Sequence, residues 1–215
     1  IKNFNLSGGS EEVIHGIYFS SQFSVHYGIV SIDSSSFKNS FSDDGLNIKF
    51  SSVQIENSIF QNNSADQIDL DFSHGKVTNN KFSFLKDNSK DFSTDGLDVS
   101  GSNIFISGNI FSGMTDKGIS VGEASDVIIY KNIINKNNNG IAVKDASSVC
   151  ILGNSFQNNA IDINTYVKKK MYGMPKIFLD DFSGLNIQLE NPLSGSSSEL
   201  IPLSCMEKIT SFNKN

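Results

Sequence analysis

The chain of 215 residues contains no arginine and no tryptophan, so all 17 of its basic side chains are lysine. Without arginine there is no planar fork to grip a carboxylate or phosphate in two places. Without tryptophan the largest aromatic platform is missing, and any stacking on a flat ligand falls to tyrosine and phenylalanine. Proline appears only at Pro175, Pro192 and Pro202, so everything before Pro175 runs without one. No apolar run approaches the roughly 18 residues of a membrane-spanning helix, so membrane insertion is not expected. The net charge of −6 disfavours nucleic acid as a partner and favours calcium or a neutral or cationic one. Nothing in the sequence sets an oligomeric state. The chain opens on Ile1 with no methionine and no signal-peptide pattern, which reads as a mature or excised fragment. The low pI and the many serines and asparagines suit a secreted or cell-surface protein.

There are two cysteines, Cys150 and Cys205. Cys150 lies between Val149 and Ile151, which carry the inward pattern, so its own side chain should point outward. The spacing gives no support to a bond with the C-terminal segment, and two free thiols are expected.

What the sequence has in abundance is repetition, clearest over 95–164. Asn109, Asn132 and Asn154 recur at spacings of 23 and 22, and Ser35, Ser58 and Asn80 continue the series backwards. Two residues after each comes a large apolar side chain: Phe37, Phe60, Phe82, Phe111, Ile134 and Phe156. Three residues before each comes Ile32, Ile55, Val77, Ile106, Ile129 or Ile151. A second column runs Phe23/Val25, Leu46/Ile48, Ile68/Leu70, Leu97/Val99, Ile119/Val121, Ile141/Val143 and Ile161/Ile163. Members of each pair are two apart, so both point to one face of a strand. A period in the low twenties with short alternating strands signals a solenoid, in which stacked coils bury what no single coil can.

Over about 20–165 the chain resembles the right-handed parallel β-helix repeat proteins of the pectate-lyase-like superfamily. The Asn-x-Phe and Gly-Ile-x-Val patterns carry the resemblance. It implies an all-β, single-stranded right-handed parallel β-helix solenoid with coils of about 22–23 residues. The coils are expected over 1–165, with an irregular first one. A last coil, a cap and a tail are expected over 166–215.

Several segments depart from the repeat. Residues 13–19 read as a strand after a Gly8-Gly9 turn. Gly75 fills the slot held by Val30, Val53 and Ile104, which predicts a local hollow. The insertion 83–94 lengthens one coil to 29 residues, and insertions in solenoids become loops on one face. Residues 176–182 can form one last coil, 193–199 read as a flexible loop, and 200–212 are expected to fold back as a cap.

Chemistry must come from the outward columns. One runs Ser24, Asn47, Asp69, Asp98, Ser120, Ala142, Asp162. The next runs His26, Lys49, Asp71, Ser100, Gly122, Lys144, Asn164. The corner before them gives Asp44, Asp66, Asp95, Lys117, Asn139, Asn159. Asp69 and Asp98 should sit one strand apart, about 4.8 Å, and Asp69 and Asp71 about 6.6 Å apart on one face. Carboxylates that close resist joint ionisation. Asp69, Asp71 and Asp98 with Lys49 are the candidate catalytic set, since a protonated carboxyl beside an ionised one suits glycoside cleavage. His26, Asn47 and Asp44 are candidate contacts to a polysaccharide or other glycan. Asp66, Asp69 and Asp95 are candidate ligands for Ca²⁺. The resemblance implies that such an ion neutralises a uronate while a Lys or Arg removes a proton; with no arginine here that leaves lysine, and His26 is a further candidate base. Lys117, Lys144, Glu123 and Asp145 form a second polar cluster, read as salt bridges between coils or as further substrate contacts. A polysaccharide lyase, glycoside hydrolase or epimerase fits the acidic columns. A non-catalytic scaffold or glycan-binding module of a larger surface protein fits the missing Arg and Trp.

Overall fold

The computed structural model describes residues 1–41, 43–85, 92–181, 183–189 and 203–212. Each coil contributes three strands, and each strand pairs in parallel with its equivalent in the coils above and below. Three walls result. A short wall of seven strands runs from Asn5–Ser7 to Ser155–Gln157. An eight-stranded wall runs from Ser24–His26 through Leu46–Lys49, Ile68–Asp71, Asp95–Ser100, Lys117–Gly122, Asn139–Lys144 and Ile161–Tyr166 to Ile187–Leu189. A longer seven-stranded wall runs from Ile29–Asp33 to Lys176–Leu179. The expected all-β parallel solenoid is what the chain forms.

The inward columns build the core. Ile32, Leu46, Ile55, Ile68, Leu97, Ile119 and Ile141 are fully buried. Phe37, Phe60, Phe82 and Phe111 stack face to face along the short wall, with ring centres 5.4, 5.2 and 4.5 Å apart. Burying each such ring contributes about 1.5–3 kcal/mol.

Tight corners between walls leave backbone N–H groups that no strand satisfies, and polar side chains from the next coil take them. The Asn and Ser column read from the sequence is one such ladder. The Ser58 N–H donates to Asn80 Oδ1, Asn80 to Asn109, Asn109 to Asn132 and Asn132 to Asn154, all within 2.8–2.9 Å. Two further ladders were not apparent from the repeat. At a second corner Ser51, Ser73, Ser102 and Ser125 each donate N–H to the hydroxyl of the next serine, ending at Ser147. At the third, Met114 donates to Asn137 and Asn137 to Asn159. Asn159 therefore serves this ladder, and Ile161 instead lines up with Asn139 where the strand begins.

Several expectations need correction. The register of the last strand of the acidic columns is two residues later than expected, since Ala142 faces Asn164 and Lys144 faces Tyr166. Gly75 sits, as expected, at a hollow, which Val30, Val53, Gln54 and Lys76 help to line. It pairs with Val53 and Ile104, but its φ is +138° and a Cβ there would lie 1.9 Å from the Val53 carbonyl oxygen. Residues 13–19 form a two-stranded antiparallel hairpin, Glu12–Ile14 against Ile17–Phe19, instead of one strand. The insertion anchors itself through Phe84 and Phe92, whose rings meet at 5.6 Å. Its middle, 86–91, and the segment 193–199 lie outside the described residues.

The cysteines are not free. Cys150 does leave the strand outward, but it is bonded to Cys205, with Cα atoms 6.1 Å apart. The C-terminal helix Leu203–Phe212 lies against the outside of the longer seven-stranded wall, where Phe105, Ile128, Cys150 and Leu152 form a covered apolar strip. The helix lies along the side of the solenoid and not across its end. The repeat spacing is silent on this, because the helix lies beyond the repeat.

Candidate functional site

The acidic columns fall on the outer face of the eight-stranded wall. Register places Asn47 beside Asp69 and Asp69 beside Asp98, with Lys49 beside Asp71 and Asp71 beside Ser100. Asp98 is followed by Ser120. The alternation that sends Leu46, Ile48, Ile68 and Leu70 inward sends these side chains outward. Asp44, Asp66 and Asp95 lie at the corner where each strand begins. His26 pairs with Lys49 at the N-terminal end of the same face.

The face is far less exposed than an outer sheet surface suggests. Asn47, Asp44, Asp95, Lys117 and Lys144 are buried, and Asp66, Asp69 and Asp98 are partly buried. Burial disfavours charge, so it pushes the Asp44 carboxyl up to about 7 against the opposing hydrogen bond from Ser20. Burial, then the charge of Asp95, holds Asp66 well above the usual carboxylate range. Burial, then Asp44, Asp71 and Asp98, does the same to Asp69. Burial raises Asp95 to about 6 although Lys117 pulls the other way.

Cations stand at both ends of the acidic run. Lys49 Nζ lies 2.8 Å from Asp71 Oδ2. Lys117 Nζ lies 3.3 Å from Asp95 Oδ1 and also meets Asp116. Burial works against the Lys117 charge, but Asp95 and Asp116 outweigh it and its pKa is raised. Lys144 Nζ donates to Ser120 Oγ at 2.7 Å. Lys117 and Lys144 therefore belong to the main face and do not join Glu123 and Asp145 in a separate cluster. Glu123 pairs with Lys169 instead, and Asp145 accepts the Lys168 and Lys169 backbone N–H groups. The expected second cluster breaks up because the segment after Tyr166 folds across Glu123 and Asp145.

Among the described residues four buried side-chain polar atoms have no hydrogen-bond partner: His26 Nε2, Asn47 Oδ1, Asp98 Oδ1 and Gln22 Oε1. The first three belong to the two outward columns of this face. Gln22 is at its corner, where its N–H meets the Asp44 carbonyl. The orientation of the Asn47 amide is fixed by its NH₂, which donates to Asp69 at 2.6 Å and to Asp44 at 3.4 Å. Its orphan atom is therefore an acceptor. These orphans carry no signal in a sequence, since they arise from how neighbouring rungs share hydrogen bonds. Asp66, Asp95 and Asp98 bring carboxylate oxygens within 4.8 Å of one another. A set of hard oxygens fits calcium, with Asp98 converging where Asp69 was expected. The Lys117 ammonium on Asp95 competes with a cation there.

No curated protein matches the chain. Residues 15–168 match the family model described as the right handed beta helix region, which spans most of the solenoid seen here. With that match laid over three walls of parallel strands and an ordered ladder at each corner, the chain belongs to the right-handed β-helix family.

Proposed function

We propose that this is a carbohydrate-active β-helix that holds a neutral, hydroxyl-rich polysaccharide along the acidic face. The orphan acceptors Asn47 Oδ1 and Asp98 Oδ1 carry this reading. A buried acceptor without a donor costs about 1–3 kcal/mol, and native proteins leave few of them. Both atoms call for a ligand that brings donors. Sugar hydroxyls are donors, whereas a polyanion would bring more acceptors to a face already rich in them. The rungs repeat every 4.8 Å or so along the solenoid axis, which suits an extended polymer lying parallel to it. The disulfide accords with a secreted or cell-surface setting.

The chemistry within reach is cleavage of a glycosidic bond. Asp69, whose carboxyl is held well above the usual range by burial and then by Asp44, Asp71 and Asp98, is the proton donor for a leaving oxygen. Asp98, one strand away with an oxygen free of protein partners, is the matching carboxylate. Lys49 pairs with Asp71 at the rim. A calcium ion on Asp66, Asp95 and Asp98 is the second reading, favoured by the convergence of their oxygens within 4.8 Å. It would supply charge neutralisation and so admit a uronate.

A panel of soluble neutral and acidic polysaccharides, scored for binding by calorimetry and for cleavage by new reducing ends, tests the proposal. The wild type should bind a neutral polymer, Asp98→Ala should lose that binding, and Asp69→Asn should bind but release no reducing ends. Binding without cleavage in the wild type would make the chain a glycan-binding module. If no neutral polymer binds, the reading fails.

A further inference from the structure

The outward column in the middle of the longer seven-stranded wall changes character along the solenoid. In register it runs Ser31, Gln54, Lys76, Phe105, Ile128, Cys150, Phe178. The first three are what a solvated sheet surface carries. From Phe105 onward the outward side chains are apolar, and Phe105, Ile128, Cys150 and Leu152 are buried under the C-terminal helix. A strip of that kind on the outside of a solenoid exists to be covered.

The described side chains of the helix offer little of their own to cover it. Among its described side chains only Cys205 and Ile209 are buried, while Met206, Glu207 and Thr210 face solvent. It has ten residues, with no acidic residue in its first turn and no basic one in its last to complement its dipole. Isolated helices of this length are marginal in water. One of those two side chains is the half-cystine itself. The bond to Cys150 closes a loop between positions 55 residues apart. Without it the helix keeps only non-covalent packing on the wall and its chain connection beyond the strand Ile187–Leu189.

We infer that the Cys150–Cys205 bond is a redox latch: it closes the C-terminal helix over the apolar strip, and the reduced chain is an open form with the solenoid intact and the strip uncovered. In the opening step a dithiol transfers two electrons to the S–S bond. The two protein sulfurs leave as thiols with the dithiol's two protons, and the dithiol becomes a disulfide. Both protein sulfurs are buried, Cys205 at 1% and Cys150 at 4% exposure, so attack waits on a local opening of the helix. The closed form is therefore persistent once made. The solenoid does not depend on the latch, because its walls, corner ladders and phenylalanine stack lie beneath the strip and are closed without it.

Hydrogen exchange read by mass spectrometry on the full chain, oxidised and after dithiothreitol, tests the latch, with Cys205→Ser as a second route to the open form. Amides of Leu203–Phe212 should exchange within about tenfold of the unstructured rate once the bond is gone. Strands Asn103–Ser107, Asp126–Tyr130 and Ser148–Leu152 should keep their protection. Anilinonaphthalene sulfonate should bind the open form, and Ile128→Ser should remove that binding. Protection of the helix that survives reduction would show that packing alone holds it. Loss of protection in the strands would show that the bond braces the solenoid. Either result overturns the latch.

Discussion

A methyl group added at Gly75 would sit 1.9 Å from the Val53 carbonyl oxygen, and the backbone there has a φ of +138°, which L side chains rarely adopt. Both facts make glycine obligatory at a slot that valine or isoleucine fills in neighbouring coils. Gly75→Ala should therefore destabilise the fold by about 1–3 kcal/mol, read as a lower urea midpoint at an unchanged slope. A midpoint equal to wild type would mean the strand can rotate back into the regular pattern. Composition and spacing show that Gly75 breaks the column, but not which way the backbone moves in response. The same limit applies at the acidic face. The sequence places Asp69 beside Asp98 and Lys49 beside Asp71, because strand register follows from the repeat. It does not show that Asn47 spends its amide on two carboxyls and leaves an acceptor bare, since that depends on side-chain rotamers across two coils.

Corner ladders connect one coil to the next, and the asparagine ladder shows what a single rung contributes. Asn109 receives the Asn80 N–H on Oδ1 at 2.8 Å, while its NH₂ reaches the Val77 carbonyl at 2.9 Å and Asn132 Oδ1 at 3.0 Å. It is fully buried. Asn109→Ala leaves a buried donor and a buried acceptor without partners, at a cost of about 3 kcal/mol. Asn109→Ser should be milder, because Ser58 fills the equivalent rung two coils earlier and accepts the Ser35 N–H. Equal melting temperatures for the two variants would mean that the ladder adds little. Legibility at this scale follows periodicity. The Asn and Phe columns are visible because their side chains recur at fixed offsets. The serine ladder is harder to see because serine is common everywhere in this chain. The terminal helix and its disulfide are invisible to the repeat, although the run Phe105, Ile128, Cys150 at outward positions was a readable sign that something covers them.

At the scale of the whole molecule, four partly or fully buried carboxyls make stability depend on pH in an unusual direction. Asp44 titrates near 7 and Asp95 near 6 in the folded chain, with Asp66 and Asp69 also well raised. In the unfolded chain each returns to about 3.9. Between those values the folded state holds protons that the unfolded state has released, so stability falls as pH rises. Their contribution is fully present below about pH 4 and is lost as pH climbs through 6 and 7. Asp33 works the other way. Hydrogen bonds from Asn57, Lys2 and Ser34 hold it down to about 2, so its contribution is present above its unfolded pKa and lost only as pH falls through 2. The melting temperature should therefore be higher at pH 5 than at pH 8, by an amount on the order of a few kcal/mol in stability. Asp69→Asn should flatten the profile by removing one of the buried acids. Calcium separates the two readings of the face. If an ion binds Asp66, Asp95 and Asp98, millimolar calcium should raise the pH 8 melting temperature toward its pH 5 value, because a ligand that binds only the folded state stabilises it by mass action. It should do so far less at pH 5, where the raised Asp66 and Asp95 favour their protonated forms. A profile that rises from pH 5 to pH 8 without calcium would mean that the wall is solvated and its acids are ionised as in water.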